Sequence, residues 1–374
     1  MARRGHGEGS IYRRKDGRYA AAITLENRKR KTFYGKTRKE VQDKLNAALH
    51  EHKQGMLATG PQQLLKVYLE QWLEQVYKPS VKPNSYKHYR AVIRTHLVPA
   101  LGHIPVQKLT AAKVQAFYTQ KLNEGAKPRT VIAIHAVLHR ALEDAVKWGL
   151  VPRNVTKLVS LPHAERYEAQ TLTVEQASKL LETARGSRVE ALLLVAVTTG
   201  MRRGELLALH WDDVDLENGV LYVRRTMSKI VGYGYKESEP KTRAGRRKVV
   251  LPGVAMEALK EHRLRQDRAH LEAGEKWHER GIVFSNKYGG FFDPDRLLLI
   301  FDKVLREAGL PHMRFHDLRH SAATILLMSG VHPKVVQERL GHSTIAMTLD
   351  VYSHVLPSIQ QEAADKIDEM FRGS

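Results

Sequence analysis

Not one cysteine occurs in the 374 residues. Disulfides, thiolate catalysis and cysteine-based zinc sites are therefore excluded. No run of about 18 apolar residues exists, so a membrane span is not expected. The N-terminus, MARRGHGEGSIYRRKDG, lacks the apolar core of a signal peptide. No internal repeat and no low-complexity tract interrupts the chain. Acidic residues are scarce relative to basic ones, 40 Asp and Glu against 61 Lys and Arg, a net charge of +21. A field of that sign favours polyanions, nucleic acid before acidic membrane surfaces. A cytoplasmic, nucleoid-associated protein is the simplest placement, with no membrane partner.

What is present divides into three parts, as the length suggests. Residues 1–57 hold 15 Lys or Arg against 6 Asp or Glu, a net of +9. Ser10–Arg13, Tyr19–Leu25 and Lys31–Tyr34 read as short strands, with turns at Asp16-Gly17 and Asn27. Thr37 reads as an N-cap with Glu40 three residues on, opening a helix to about His50. A small sheet plus one helix, this basic, suits a groove-reading module; a basic but inert extension is the alternative. Gly55 to Gln63 reads as a linker.

Residues 64–157 read as four helices. Leu65, Tyr68, Leu69, Trp72, Leu73 and Val76 form one apolar face, ended by Pro79 and Pro83. Asn84 and Thr110 are expected caps of the next two, and Thr130 to Trp148 forms the fourth, stopped by Gly149 and Pro152. Val155 to Gln170 reads as a second linker. Residues 171–374 form a larger α/β region. It opens with a capping box at Thr173 and Gln176 and has strands expected at Val220–Arg225 and Lys248–Leu251. The expected fold class is α+β, mostly helical and multidomain.

Four short stretches of the last part carry the chemistry. In TGMRRGELLALHW, Arg202 and Glu205 stand three apart on one helical face, where a carboxylate can orient a guanidinium; taken alone, the pair reads first as a structural ion pair. In FHDLRHSAATILL, His316, Arg319 and His320 share a face. HDLRH has the spacing of a zinc-binding H-E-x-x-H helix, but its second residue is Asp and an arginine sits on the same face, which repels a dication. Beside an anion, His316 and Arg319 both become donors. Lys241, in ESEPKTRAGRRKVVLP, could reach a ligand and give up a proton, although Arg243, Arg246, Arg247 and Lys248 crowd nearby. His342 and Tyr352 close the set in LGHSTIAMTLDVYSH. Tyrosine has an ordinary pKa of about 10 and attacks only when activated; neighbouring cations stabilise its phenolate. Two arginines, two histidines and a late tyrosine make sense together if the partner is a phosphodiester.

Taken together, these stretches resemble the tyrosine recombinase family, specifically integrases of phages and integrative conjugative elements. The resemblance covers the whole chain. It implies an arm-type DNA-binding domain (1–57), a helical core-site DNA-binding domain (64–157) and a mixed α/β catalytic domain (171–374). It implies site-specific cutting and rejoining of DNA through a 3′-phosphotyrosyl link made by Tyr352. Arg202 and Arg319 would hold the non-bridging oxygens, His316 would assist proton transfer at the tyrosine, and Lys241 would protonate the 5′ oxygen. His342 would donate to the phosphate and Glu205 would support the site. The implied partners are double-stranded attachment sites and a homotetramer on synapsed DNA, with room for an excision factor and a host DNA-bending protein. No cofactor is expected. Gly35-Lys36-Thr37 ends like a phosphate loop, but Arg30 stands where its first glycine belongs, and no carboxylate cluster suggests a two-metal nuclease. The tail 358–371 reads as an acidic amphipathic helix, packing within the chain or, as the resemblance implies, on a neighbouring protomer.

Overall fold

A computed structural model describes residues 9–24, 30–53, 62–165, 167, 169–230, 234–240, 242–352, 367–368 and 371. Asn27, most of the 55–63 linker, Lys241 and most of the 358–371 tail lie outside the described residues. The chain divides into two compact units, 1–166 and 167–374.

The first unit begins with an antiparallel meander of β1 (Ser10–Arg13), β2 (Tyr19–Thr24) and β3 (Arg30–Gly35), in the order β1-β2-β3. The β1–β2 turn uses Gly17 at φ 80°, a left-handed conformation that glycine adopts without strain. Alternation puts Ile11, Tyr19, Ala21, Ile23 and Phe33 on one face, packed on Val41 and Leu45 of α1 (Arg38–Lys53). The register sets Tyr12, Ala20 and Tyr34 side by side on the other face. At the start of α1, Glu40 N donates to Thr37 Oγ1, and the Glu40 carboxylate accepts from the backbone N–H groups of Lys36 and Thr37.

Its helical part runs α2 (Leu65–Trp72), a π turn (Leu73–Tyr77) and α3 (Lys78–Ser80), then α4 (Pro83–Val92), a second π turn (Ile93–Leu97) and α5 (Val98–Leu101). Then follow α6 (Ala111–Asn123) and α7 (Pro128–Lys147). Three expectations need correction. Pro79 lies inside the last turn of its helix. Each π turn directly precedes an X-Pro pair, Lys78-Pro79 or Val98-Pro99, and the widened ring accommodates a residue that lacks N–H and crowds the preceding turn. Asn84 is not a cap: Lys82 is, with extended backbone, and Pro83 takes the first helical position. In the same way α7 opens at Lys127-Pro128, two residues before Thr130. The residue before proline avoids helical angles, while proline's own φ suits a helix start. Thr110 does cap α6, accepting from Lys113 N. Trp72, Tyr68, Ile93, Leu97, Phe117 and Leu138 fill this core, and the Trp72 indole donates to buried Asp144.

The second unit opens with the expected capping box, Thr173 with Gln176, on α8 (Val174–Thr183). Then follow α9 (Glu190–Thr199), α10 (Arg203–Leu206), β4 (Val214–Asp215), β5 (Val220–Val223), β6 (Thr226–Ile230), β7 (Gly234–Ser238) and β8 (Arg247–Val250). The helices α11 (Gly253–Ala273), α12 (Pro294–Glu307), α13 (Asp317–Met328), α14 (Pro333–Leu340) and α15 (Ala346–Tyr352) complete it. β4, β5 and β8 make one antiparallel sheet, and β6 and β7 a separate hairpin that the sequence did not suggest. Helix α9 is apolar nearly all round and buried, as its lack of a polar face requires. It packs between α11 and α13. Among the described residues, no helix is long and apolar enough to cross a membrane.

Candidate active site

Two left-handed glycines build the floor of the site. Gly200 ends α9 at φ 63° and Gly341 ends α14 at φ 68°. A Cβ on Gly200 would stand 2.2 Å from Leu340 Cδ2, and one on Gly341 would stand 2.6 Å from the Ala244 carbonyl. Their own carbonyls turn inward to arginines. Arg319 Nη1 donates to Gly200 O at 2.8 Å, and Arg202 Nη2 to Gly341 O at 3.3 Å. Two helix ends far apart in sequence thus orient the two guanidiniums.

Arg202 caps the short helix α10, and Glu205 lies three residues on. One carboxylate oxygen accepts from Arg202 Nη1 at 2.8 Å, the other from Arg202 N at 3.0 Å and from Arg247 Nη2 at 2.9 Å. Glu205 is 3% exposed and the Arg247 side chain 5%. Burial pushes the Glu205 carboxyl up, but the Arg247 charge and hydrogen bond, followed by the Arg202 bonds, outweigh it and hold the pKa below the usual range. Glu205 stays ionised and fully engaged.

Arg319 is 4% exposed, and its Nη2 is buried without a hydrogen-bond partner among the described residues. Burial, then the neighbouring Arg202 and Arg247 charges, lower its pKa to about 9. Three guanidiniums face one carboxylate. Such a cluster is destabilised by its own repulsion, and an anion that accepted from Arg319 Nη2 would relieve both deficits.

His316 caps α13, its ring edge-on to His320 at 5.4 Å between centroids. Burial, then His320 and Arg319, push its pKa down to about 4. His342 is buried, and its Nδ1 lies 2.9 Å from Thr348 Oγ1. Burial, then Arg319 and Arg202, push it down to about 3. Both imidazoles are neutral at ordinary pH. Arg202, Glu205, His316, Arg319 and His342 are therefore brought together, and Arg247 and Thr348 join them. Tyr352 is the last residue of α15, which packs on α13 and α14; its side chain, like all of Lys241, lies outside the described residues.

Asp317 does not point its carboxylate at a metal. It is fully buried and accepts from Arg314 N, Nε and Nη2 and from the Tyr167 hydroxyl at 2.8 Å. The Arg314 guanidinium lies over the Tyr167 ring, 3.4 Å from its centroid. Among the described residues, no group of three or more His, Asp or Glu could hold a metal ion.

Comparison with known proteins decides the family. Residues 170–358 match the phage integrase family, and residues 64–122 match the N-terminal SAM-like domain of phage integrases. A tyrosine recombinase XerC-like protein of Caldanaerobacter subterraneus subsp. tengcongensis is 32% identical, covering 94% of this chain and 96% of that one. This chain belongs to the phage integrase family. It is a tyrosine-type site-specific recombinase, which cuts and rejoins DNA to integrate or excise a mobile element. This integrase-family chain is also 26% identical to the ICEBs1 integrase of Bacillus subtilis, over 77% of this chain and 78% of that one. In fold it is similar to the Tn1549 transposon integrase solved in complex with transposon right end DNA. There the TM-score is 0.68 at 20% identity, covering 78% of this chain and 95% of that one. A lambda integrase tetramer bound to a Holliday junction gives 0.58 at 19% identity, covering 93% and 96%.

Arg247 was hidden among its basic neighbours in the sequence. Its signal was the strand alternation: Arg247, Val249 and Leu251 share a parity, and Val249 and Leu251 are core residues. Asp317 and Tyr167 gave no separate signal, because they are 150 residues apart.

Proposed function

We propose that Arg202 and Arg319 hold the non-bridging oxygens of one scissile DNA phosphodiester. The observation that carries this reading is the buried Arg319 Nη2 beside Arg202, without a partner among the described residues, in a cluster with more cations than carboxylates. Donors set in advance where charge develops lower the barrier most in a water-poor site. Tyr352 Oη attacks phosphorus, the bond to the 5′ oxygen breaks, and a 3′-phosphotyrosyl link remains. Neutral His316 accepts the tyrosine proton; a bound phosphate anion moves its pKa back up toward the usual range, making it a better base. Lys241 gives a proton to the leaving 5′ oxygen. His342 donates to the phosphate, and Glu205 and Arg247 hold Arg202 in place. Reversal of the same steps on a new 5′ hydroxyl joins the strands, and the covalent link conserves the bond energy, so no ATP enters.

Residues 1–57 serve as the arm-site module in this reading. The face of its sheet away from α1 presents Tyr12 and Tyr34, with Arg14 over the Tyr34 ring at 5.1 Å, suited to a DNA groove. Residues 64–157 bind the core site and residues 171–374 carry the chemistry. The assembly is a homotetramer on two synapsed sites, with an excision factor and a bending protein as further partners; the lambda integrase of similar fold is a tetramer bound to a Holliday junction. The protein works in the cytoplasm, at the nucleoid. The decisive test is Tyr352→Phe on nicked duplexes made from the DNA flanking the gene. DNA binding should persist while the covalent adduct disappears; an adduct that survives would remove Tyr352 as nucleophile.

A further inference from the structure

The contact between His342 and Thr348 fixes more than position. A neutral imidazole carries one donor and one acceptor nitrogen, and which is which depends on the partner of the other. His342 Nδ1 lies 2.9 Å from Thr348 Oγ1. Within 343–349, all of them described, Thr348 alone is buried, and its exposure is 0%. A buried hydroxyl has to donate its proton to something. Other helical hydroxyls of this unit donate to the carbonyl four residues back: Thr198 to Leu194, Thr199 to Val195, Ser321 to Asp317 and Ser329 to Ile325. Thr348 makes no such bond among the described residues; its hydroxyl meets His342 Nδ1 instead. An O–H pointed at Nδ1 would make Nδ1 a bare acceptor and place the ring proton on Nε2. A histidine held neutral among Arg319 and Arg202 is a donor to an anion only in that tautomer. Thr348 also stands one turn before Tyr352 on α15.

We propose that Thr348 is a positioning residue whose hydroxyl locks His342 as the Nε2–H tautomer, so that His342 becomes a phosphate donor when the helix carrying Tyr352 is docked. The proposal rests on the reading of His342 as a phosphate contact. It couples two parts of the reaction. Withdrawal of α15 would remove the Nδ1 donor and release the tautomer, so an undocked nucleophile also weakens the phosphate site.

The test uses the full chain labelled with ¹⁵N-histidine, without DNA. The His342 signals are assigned by their absence in His342→Gln, and long-range ¹H–¹⁵N spectra read the tautomer. The expected result is Nε2–H in the parent chain and in Thr348→Ser, and a mixed or Nδ1–H ring in Thr348→Val. On a nicked duplex carrying the element's end, Thr348→Val should cleave about tenfold to a hundredfold more slowly, less than the 10²–10³ of losing an oxyanion donor outright. Thr348→Ser should restore the rate, and DNA affinity should stay unchanged. An Nδ1–H ring in the parent chain, an Nε2–H ring in Thr348→Val, or a Thr348→Ser as slow as the valine variant would each overturn the proposal. His342→Ala cleaving at the parental rate would overturn the phosphate-contact reading instead, leaving the tautomer result standing.

Discussion

Replacing Arg247 by methionine should injure this protein out of proportion to its distance from the proposed chemistry. The guanidinium donates to Glu205 at 2.9 Å, to the Arg339 carbonyl at 2.7 Å and to the Gly245 carbonyl at 3.2 Å, with both members of the ion pair buried. Methionine fills much of the volume but leaves Glu205 with Arg202 as its remaining cation. Breaking a buried pair by removing one partner costs about 3–5 kcal/mol, because the other charge stays desolvated. A unit of about 200 residues loses roughly 2–4 °C in Tm per kcal/mol, so the transition of the second unit should fall by about 6–20 °C. The sign with pH is specific. In the parent chain the Glu205 pKa is depressed, so it contributes stability above the unfolded value of about 4.3, lost as pH falls through the folded pKa. Without Arg247 the burial effect dominates and the folded pKa rises. The ionised carboxyl then destabilises the variant at neutral pH, and protonation relieves it. The stability gap should be widest near pH 7 and narrow toward pH 4.5. Urea unfolding of the two proteins at both pH values measures it. A gap below about 1 kcal/mol, or one independent of pH, would refute this account of Glu205.

Three further outcomes follow from the geometry. His316 and His342 have folded pKa values of about 4 and about 3, below the usual 6.5, so stability should fall as pH drops from 6.5 toward 4; His316→Gln with His342→Gln should flatten that slope in urea unfolding. Gly200→Ala forces a Cβ to 2.2 Å from Leu340 at a left-handed φ and shifts the carbonyl that holds Arg319; cleavage should drop at least tenfold while DNA affinity, read by gel shift, changes little. Removal of residues 1–57 should leave covalent adduct formation on core DNA intact and reduce the salt dependence of binding, each lost phosphate contact lowering the slope by about 0.9.

Local rules exposed much of this molecule in its sequence, and their failures are instructive. Thr110 and the Thr173–Gln176 box were legible because a cap is decided within four residues. The starts of α4 and α7 were misjudged where an attractive Asn or Thr competed with a proline one or two residues earlier, and the fixed φ of proline outweighed a side-chain hydrogen bond. The π turns before Pro79 and Pro99 were not legible: an apolar face continues through a widened turn without changing which residues are apolar. The site divides the same way. Arg202 with Glu205, and His316 with Arg319, were visible as i, i+3 pairs. What orients them was not, because it comes from the carbonyls of Gly200 and Gly341, from Arg247 reaching Glu205 across 42 positions, and from the Thr348 hydroxyl. A sequence motif therefore names the groups proposed to meet the phosphate more readily than the groups that aim them. Arg319 shows why that second set matters. One of its nitrogens is held by a backbone carbonyl and another is buried with no bond among the described residues, so its direction is set before any DNA arrives. A guanidinium free to rotate would have to be ordered at the moment of binding; one already aimed leaves that free energy for the transition state.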